Sequence, residues 1–279
     1  MGCVRLVSLL PSATEIVYAL GLGADLVGVT FECDEPPSAR VDKTVVVGGR
    51  DPRGMSPGEI DDYVKAQLGA GADLYTLHAD ALAGLDPQLI LTQDLCRVCA
   101  LPSGHVSDAL DYLGCRAEVL SLDPYTLDEV LDTILAVGAR TGVADRAETL
   151  VADLRSRLAA VASAVQHRPR PRVAVVEWVD PPFTAGHWVP DLVHAAGGEP
   201  VAARPGARSV QTTWREFTDA AGSVRACDVL RGRAAARRRR RTAPIPAPPR
   251  ACAGRRRPLR APSGVAVAAP LPQVQRRPG

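Results

Sequence analysis

Along residues 5–123, short continuous apolar runs alternate with stretches whose apolar residues recur every three or four positions. The runs 5–10, 26–30, 44–48, 89–93 and 117–123 predict strands, and the spacing predicts helices over 12–20, 56–69, 78–84 and 103–113. Strands apolar on both faces, alternating with helices, make a parallel sheet covered on both sides. Ser12, three residues before Glu15, reads as a capping box opening the first helix, which Gly21 and Gly23 end.

From 126 to 167 the pattern is helical throughout, with Leu127, Val130, Leu131, Ile134, Leu135 and Val137 continued by Ala147, Leu150, Val151, Leu154, Leu158 and Val161. Unbroken, forty residues would make a rod of about 60 Å. Thr141-Gly142 is the natural place for a kink, and Arg168-Pro169-Arg170-Pro171 stops the rod. A second α/β pattern follows: a strand over 172–178, a loop over 179–187, a helix over 188–196, a Gly197-Gly198 turn, a helix over 213–221, and a strand beginning at 227–230. The predicted architecture is therefore α/β, with two Rossmann-like lobes, 4–124 and 172–230, joined by one long spine helix within 125–168. A ligand would sit between the lobes, at the carboxyl ends of the strands. The second lobe looks incomplete, because Arg, Ala and Pro take over at 231–279.

The formal net charge of +2 averages two unlike regions. Residues 231–279 hold 14 of the 33 basic residues and no acid, which leaves 19 basic against 31 acidic and a net of −12 over 1–230. That tail has no aromatic residue and no apolar periodicity, so its expected state is disorder. Three origins fit it: a phosphate-binding basic arm, an inert solvated tail, or out-of-frame translation of a GC-rich gene. The last is favoured, because the composition changes just where a central strand is due; the shift would lie between about 222 and 231. No apolar run reaches the roughly 18 residues of a membrane span, and Met1-Gly2-Cys3 leads almost directly into the first strand. As written the chain is expected in the cytoplasm, with its seven cysteines mostly reduced.

No Ser–His–Asp spacing, phosphate loop or paired-carboxylate arrangement stands out, so no enzymatic activity is expected. Asp51, Glu59, Asp61 and Asp62 read as a solvated helix surface. Aromatic residues are only 4% of the chain, so Trp178 and Trp188, flanking one loop, point to ligand contact. His187 beside Trp188 is expected to be a contact too, and not a metal ligand. Cys96-Arg97-Val98-Cys99 follows a strand, and Cys33 ends another on the same edge. The three are candidates for a thiolate metal site, a redox pair or a soft ligand to cobalt, against the plainer reading of buried packing residues.

Three motifs carry a family resemblance: Val7-Ser8-Leu9-Leu10-Pro11-Ser12-Ala13-Thr14-Glu15, Leu85-Asp86-Pro87-Gln88-Leu89-Ile90-Leu91, and Asp180-Pro181-Pro182-Phe183-Thr184-Ala185-Gly186, the last followed by Ala196-Gly197-Gly198-Glu199. Over roughly 4–220 the chain resembles the vitamin B12-binding component of bacterial ABC importers, in a wider family that also takes iron–siderophores and haem. The resemblance implies cobalamin or a related corrinoid as ligand, an ABC permease as partner, and no catalytic cofactor. Carried residue by residue, it implies ligand contacts from Ser12, Phe31, Glu32, Cys33, Arg50, Gln93, Cys96, Trp178, His187 and Trp188. It also implies permease docking through Asp80 and Glu216. Two other classes remain open: a cytoplasmic corrinoid or metal-chelate carrier or sensor using the cysteine loop, and an enzyme on this scaffold with Cys96 and Cys99 holding a cluster.

Overall fold

In the computed structural model, which describes residues 4–95, 101–221 and 225–228, the first lobe alternates as its hydrophobic pattern predicts. Its elements are β1 (Leu6–Ser8), α1 (Pro11–Ala19), β2 (Leu26–Thr30), α2 (Ser38–Asp42), β3 (Thr44–Gly49), α3 (Pro57–Gly69), β4 (Tyr75–Leu77), α4 (Ala79–Gly84), β5 (Leu89–Thr92), α5 (Ser103–Leu113) and β6 (Glu118–Ser121). They build one sheet in the order β4-β3-β2-β1-β5-β6, parallel except for β4, which pairs antiparallel with β3.

The pleat explains why the central strands carry apolar residues on both faces. Leu6, Leu89 and Leu91 pack into a core on one face with α1, while Val7 and Ile90 join Val46, Leu82 and Val106 on the other. Two helical layers therefore bury both faces, and each fully buried Leu or Ile contributes about 2 kcal/mol relative to exposure.

The first helix does not start as expected. Its N-cap is Leu10, with Pro11 leading and no side-chain cap, so the Ser12–Glu15 capping box is not formed. Proline already supplies the helical φ and removes one orphan donor, which leaves Ser12 inside the helix. Capping boxes form instead at Ser56/Glu59 and Thr126/Glu129. The sequence pattern also missed α2 and β4, which are five and three residues long.

The segment between the lobes is two helices and not one unbroken rod: α6 (Leu127–Arg140) and α7 (Ala144–Val165). Gly142 adopts φ +73°, and the Val143 N–H donates back to the Gly138 carbonyl at 2.9 Å. This is the left-handed helix ending that glycine permits. The long helix is α7, whose 22 residues span about 33 Å. Leu131, Ile134 and Val137 of α6 and Ala147 and Val151 of α7 lie in the same core as β1 and α1. The spine is thus fused to the first lobe.

The second lobe holds β7 (Arg172–Val179), β8 (Pro182–Thr184), α8 (Val189–Ala195), β9 (Glu199–Val201), α9 (Trp214–Ala221) and β10 (Arg225–Asp228). Strand β7 is its axis. β10 runs parallel along one side, while β9 (parallel) and β8 (antiparallel) share the other. Its described core is small: Ala174, Val176, Val201 and Phe217. The expected tail over 231–279 lies outside the described residues.

Candidate functional site

Parallel strands deliver their carboxyl ends to one edge of a sheet, and the first-lobe candidates collect there. Ser12 follows β1, Phe31-Glu32-Cys33 follows β2, Arg50 follows β3 and Gln93 follows β5. The Phe31 ring lies across the backbone of Gly49, where a Cβ would meet it at 3.0 Å, and tilts against Tyr75 with centroids 6.3 Å apart. Arg50 sits over the Tyr63 ring, 4.6 Å from its centroid. Gln93 is half-buried.

Behind Gln93, a carboxylate network fixes the loop. Asp123 accepts the Asp94 and Leu95 N–H groups at 2.6 and 2.8 Å, and Asp94 accepts the Ser103 N–H at the start of α5 at 2.8 Å. Burial pushes the Asp94 carboxyl up, but the bonds from Ser103 and Ser121 outweigh it and hold the group below its ordinary value. Cys96 and Cys99 come next, outside the described residues.

Burial raises Glu32 to about 7, the Tyr75 hydroxyl bond pulls it back, and Asp34 adds repulsion. Glu15, projecting from α1, is also raised to about 7, by burial first and then by Glu35 and Asp34. This rim of the first lobe therefore holds protons near neutral pH.

Cys33 belongs to the core. It is 0% exposed, and its thiol lies 3.0 Å from the Thr14 hydroxyl, which in turn lies 2.8 Å from the Ser8 hydroxyl. Burial pushes the thiol up to about 11, so it stays protonated where a metal would need a thiolate. Among the described residues no cluster of three or more His, Cys, Asp or Glu is arranged to hold a metal. Iodoacetamide at pH 8 should label the half-buried Cys115 well ahead of Cys33, as peptide mass mapping would show. Equal labelling of the folded chain would put Cys33 at the surface.

Across the junction, Trp178 is the penultimate residue of the axis strand β7, and its indole N–H donates to the Asp180 carbonyl at 2.9 Å. His187 adopts φ +53°, held by its N–H on the Ala207 carbonyl (2.6 Å) and by the Gly206 N–H on its own carbonyl (3.1 Å). Its ring lies between Tyr125 and Trp188, with centroids at 5.6 and 5.9 Å, and its Nε2 is buried without a hydrogen-bond partner. Burial, then Arg208, keeps the imidazole below its ordinary value and hence neutral.

The two edges face each other. The Asp180 carboxylate sits over Gly58 at the start of α3, where a Cβ would lie 2.8 Å from Oδ2, and Lys65 Nζ donates to Gln211 Oε1 at 3.2 Å. At the spine, the Leu127 N–H donates to Asp191 at 2.9 Å. Neither of two cavities on the first lobe lies in this junction. The larger, about 310 Å³, opens beside β4 and is lined by Asp73, Tyr75, Leu77 and His105 among others.

The two residues expected to dock a permease are both exposed. Asp80 stands in the first turn of α4. Glu216 exchanges bonds with Thr213, accepting its N–H at 2.9 Å and donating its own N–H to the hydroxyl at 3.1 Å, which caps α9. The backbone bond, then the Thr212 and Thr213 hydroxyls, hold its carboxyl below the ordinary value.

A family model described as a periplasmic binding protein matches residues 6–219. The chain belongs to that family. A curated relative, a cobalamin-binding protein of Halobacterium salinarum, is 27% identical over 201 residues, which is 71% of this chain and 46% of the relative. The chain thus spans just under half the length of that relative. Among solved structures, the periplasmic vitamin B12 binding protein BtuF of Vibrio cholerae matches with TM-score 0.56 and 23% identity, over 78% of this chain and 73% of its own. A periplasmic heme binding protein of Pseudomonas aeruginosa matches with TM-score 0.57 and 24% identity, over 84% and 75%. A possible iron-binding solute-binding protein of Staphylococcus epidermidis gives 0.57 and 21%, over 79% and 75%. At these identities the structures show the shared fold. Members of the family are periplasmic solute-binding proteins, and among the described residues no helix is long and apolar enough to cross a membrane.

Sequence reasoning missed Tyr125 and Arg208, which meet beside His187, and also Tyr75 beside Phe31 and Glu32, Glu177 beside Gly186, and Glu15 near Asp34. Tyr75 lies on the overlooked strand β4, and Tyr125 lies just before α6; neither carries a local motif. Glu177 is the exception, since a carboxylate inside an apolar strand (Val175-Val176-Glu177-Trp178) is itself a signal.

Proposed function

We propose that the chain captures cobalamin or a related corrinoid between its two lobes and presents it to an ABC permease, without chemistry on the ligand. The observation that supports this reading is that the lobes meet beside their strand ends, with Asp180 over Gly58 and Lys65 on Gln211. The proposed contacts are Phe31, Glu32, Arg50 and Gln93 from the first lobe and Trp178, His187 and Trp188 from the second. Flat apolar surfaces supply affinity for a macrocycle, and a few polar groups set its orientation. Ser12 belongs to the same edge. The relative named as a cobalamin-binding protein supports this choice within the family. Asp80 and Glu216, exposed and acidic on separate lobes, are the proposed permease contacts, where charge sets register and encounter rate more than affinity.

Cyanocobalamin added to the purified full chain tests the reading. A ligand that binds only the native state at a hundred times its Kd adds about 2.7 kcal/mol. In a chain of this size that raises Tm by about 5–10 °C. Hemin and a ferric siderophore form the comparison arms. If either shifts Tm and cyanocobalamin does not, the ligand is an iron chelate. If none shifts it, capture by this chain fails.

A further inference from the structure

Two loops of the second lobe lie backbone against backbone. A Cβ on Gly186 would collide with the Ser209 nitrogen and the Arg208 carbonyl carbon, so only glycine permits this approach. The Thr184 N–H donates to the Val210 carbonyl at 2.9 Å, and the His187 N–H to the Ala207 carbonyl at 2.6 Å. Beneath the seam sits the carboxyl group of Glu177, part-buried on β7. It accepts the Gly186 N–H at 3.2 Å and also contacts the Ser209 hydroxyl, which lies 2.7 Å from the Thr184 carbonyl.

A hydroxyl has one proton to give. Ser209 can give it to the Thr184 carbonyl or to the Glu177 carboxyl beside it, and Glu177 keeps the Gly186 N–H in either case. Burial pushes the Glu177 carboxyl up, while the Gly186 and Ser209 bonds pull it back.

We propose that Glu177 is the positioning residue of the second lobe, clamping the Gly186 and Ser209 loops together so that His187 and Trp188 are held toward the junction. His187 needs such a clamp, because φ +53° is unfavourable for a non-glycine residue and persists only where its surroundings impose it. The role rests on the capture reading above for its effect on affinity, but not for its effect on the loop.

The variants Glu177→Gln and Glu177→Ala separate positioning from bulk packing. Glutamine keeps an oxygen for Gly186 and a polar group for Ser209; alanine removes both. Amide hydrogen exchange on the unliganded full chain should show Gly186 and His187 losing protection about tenfold or more in Glu177→Ala and keeping it in Glu177→Gln. Cyanocobalamin affinity should fall about tenfold in the alanine variant and stay within about twofold in the glutamine variant. Equal protection of His187 in the wild type and Glu177→Ala overturns the proposal, as does a glutamine variant that behaves like alanine. If cyanocobalamin fails to bind even the wild type, the capture reading falls, and hydrogen exchange still decides the clamp.

Discussion

Replacing Gly138 by Val should cost about 3 kcal/mol and lower Tm by about 6–12 °C in thermal unfolding. Gly138 is buried in α6 where that helix meets α7, and a Cβ added there would collide with the Cβ of Ala147 and press on the Val143 carbonyl at 3.4 Å. Neither neighbour is a flexible side-chain tip. Helix propensity works the other way, since a glycine inside a helix costs about 1 kcal/mol relative to alanine. Gly138→Ala therefore gains that amount but loses more to overpacking, and should be milder than Gly138→Val. Ala147→Gly opens the missing space, so the pair Gly138→Ala and Ala147→Gly should recover most of the loss caused by Gly138→Ala alone. Additive effects in that double-mutant cycle would mean the helices do not meet at this point.

The collision matters because α6 and α7 link the lobes. Their buried residues belong to the first-lobe core, whereas the second lobe reaches them through Asp191 on the Leu127 N–H, Arg208 near the Tyr125 hydroxyl, and the His187–Tyr125 ring contact. Spreading the helices would tilt the N-terminus of α6, and with it the platform on which His187 rests. A packing error about ten residues from the junction is thus expected to reach the ligand site.

The strands of the first sheet were legible because both faces are buried, and the continuous apolar runs have no other good explanation. Strand β4 was not, since Tyr75-Thr76-Leu77 is a short antiparallel edge with only half-buried or exposed residues. The capping box at Ser12 had the right spacing but lost to Pro11, whose fixed φ starts the helix without a side-chain cap. The single rod failed at the one glycine able to take a left-handed ending, a break its sequence already marked. For the candidate site, position and rarity pointed to the strand ends and the two tryptophans, and their contact with a ligand is part of the proposal. Cys33 was misplaced toward the cleft because a strand's end does not reveal which way its next residue turns; here it turns inward to Thr14. The contacts that join the lobes pair residues more than sixty positions apart, such as Lys65 with Gln211, and no local pattern encodes them.

The protonation state of Glu32 gives the other large effect. Its folded-state value of about 7 lies above the ordinary 4.5, mainly through burial, so the folded chain binds the extra proton more tightly than the unfolded chain does. Stability from this group is present at low pH and is lost as pH rises from about 4.5 through about 7. At 1.36 kcal/mol per pH unit the full loss at Glu32 is on the order of 3 kcal/mol. Glu15 acts in the same direction, and its half-exposed carboxyl is screened by solvent, so its share is smaller. Glu32→Gln removes the ionisation while keeping an acceptor for the Tyr75 hydroxyl. It should leave stability unchanged near pH 4.5 and raise it by about 2–3 kcal/mol at pH 8, as urea unfolding at the two pH values would measure. Parallel stability–pH curves for wild type and variant would place the Glu32 carboxylate in water. Tyr75→Phe supplies the opposite control: without the bond that favours the ionised form, the fall in stability should begin at the same pH and run deeper.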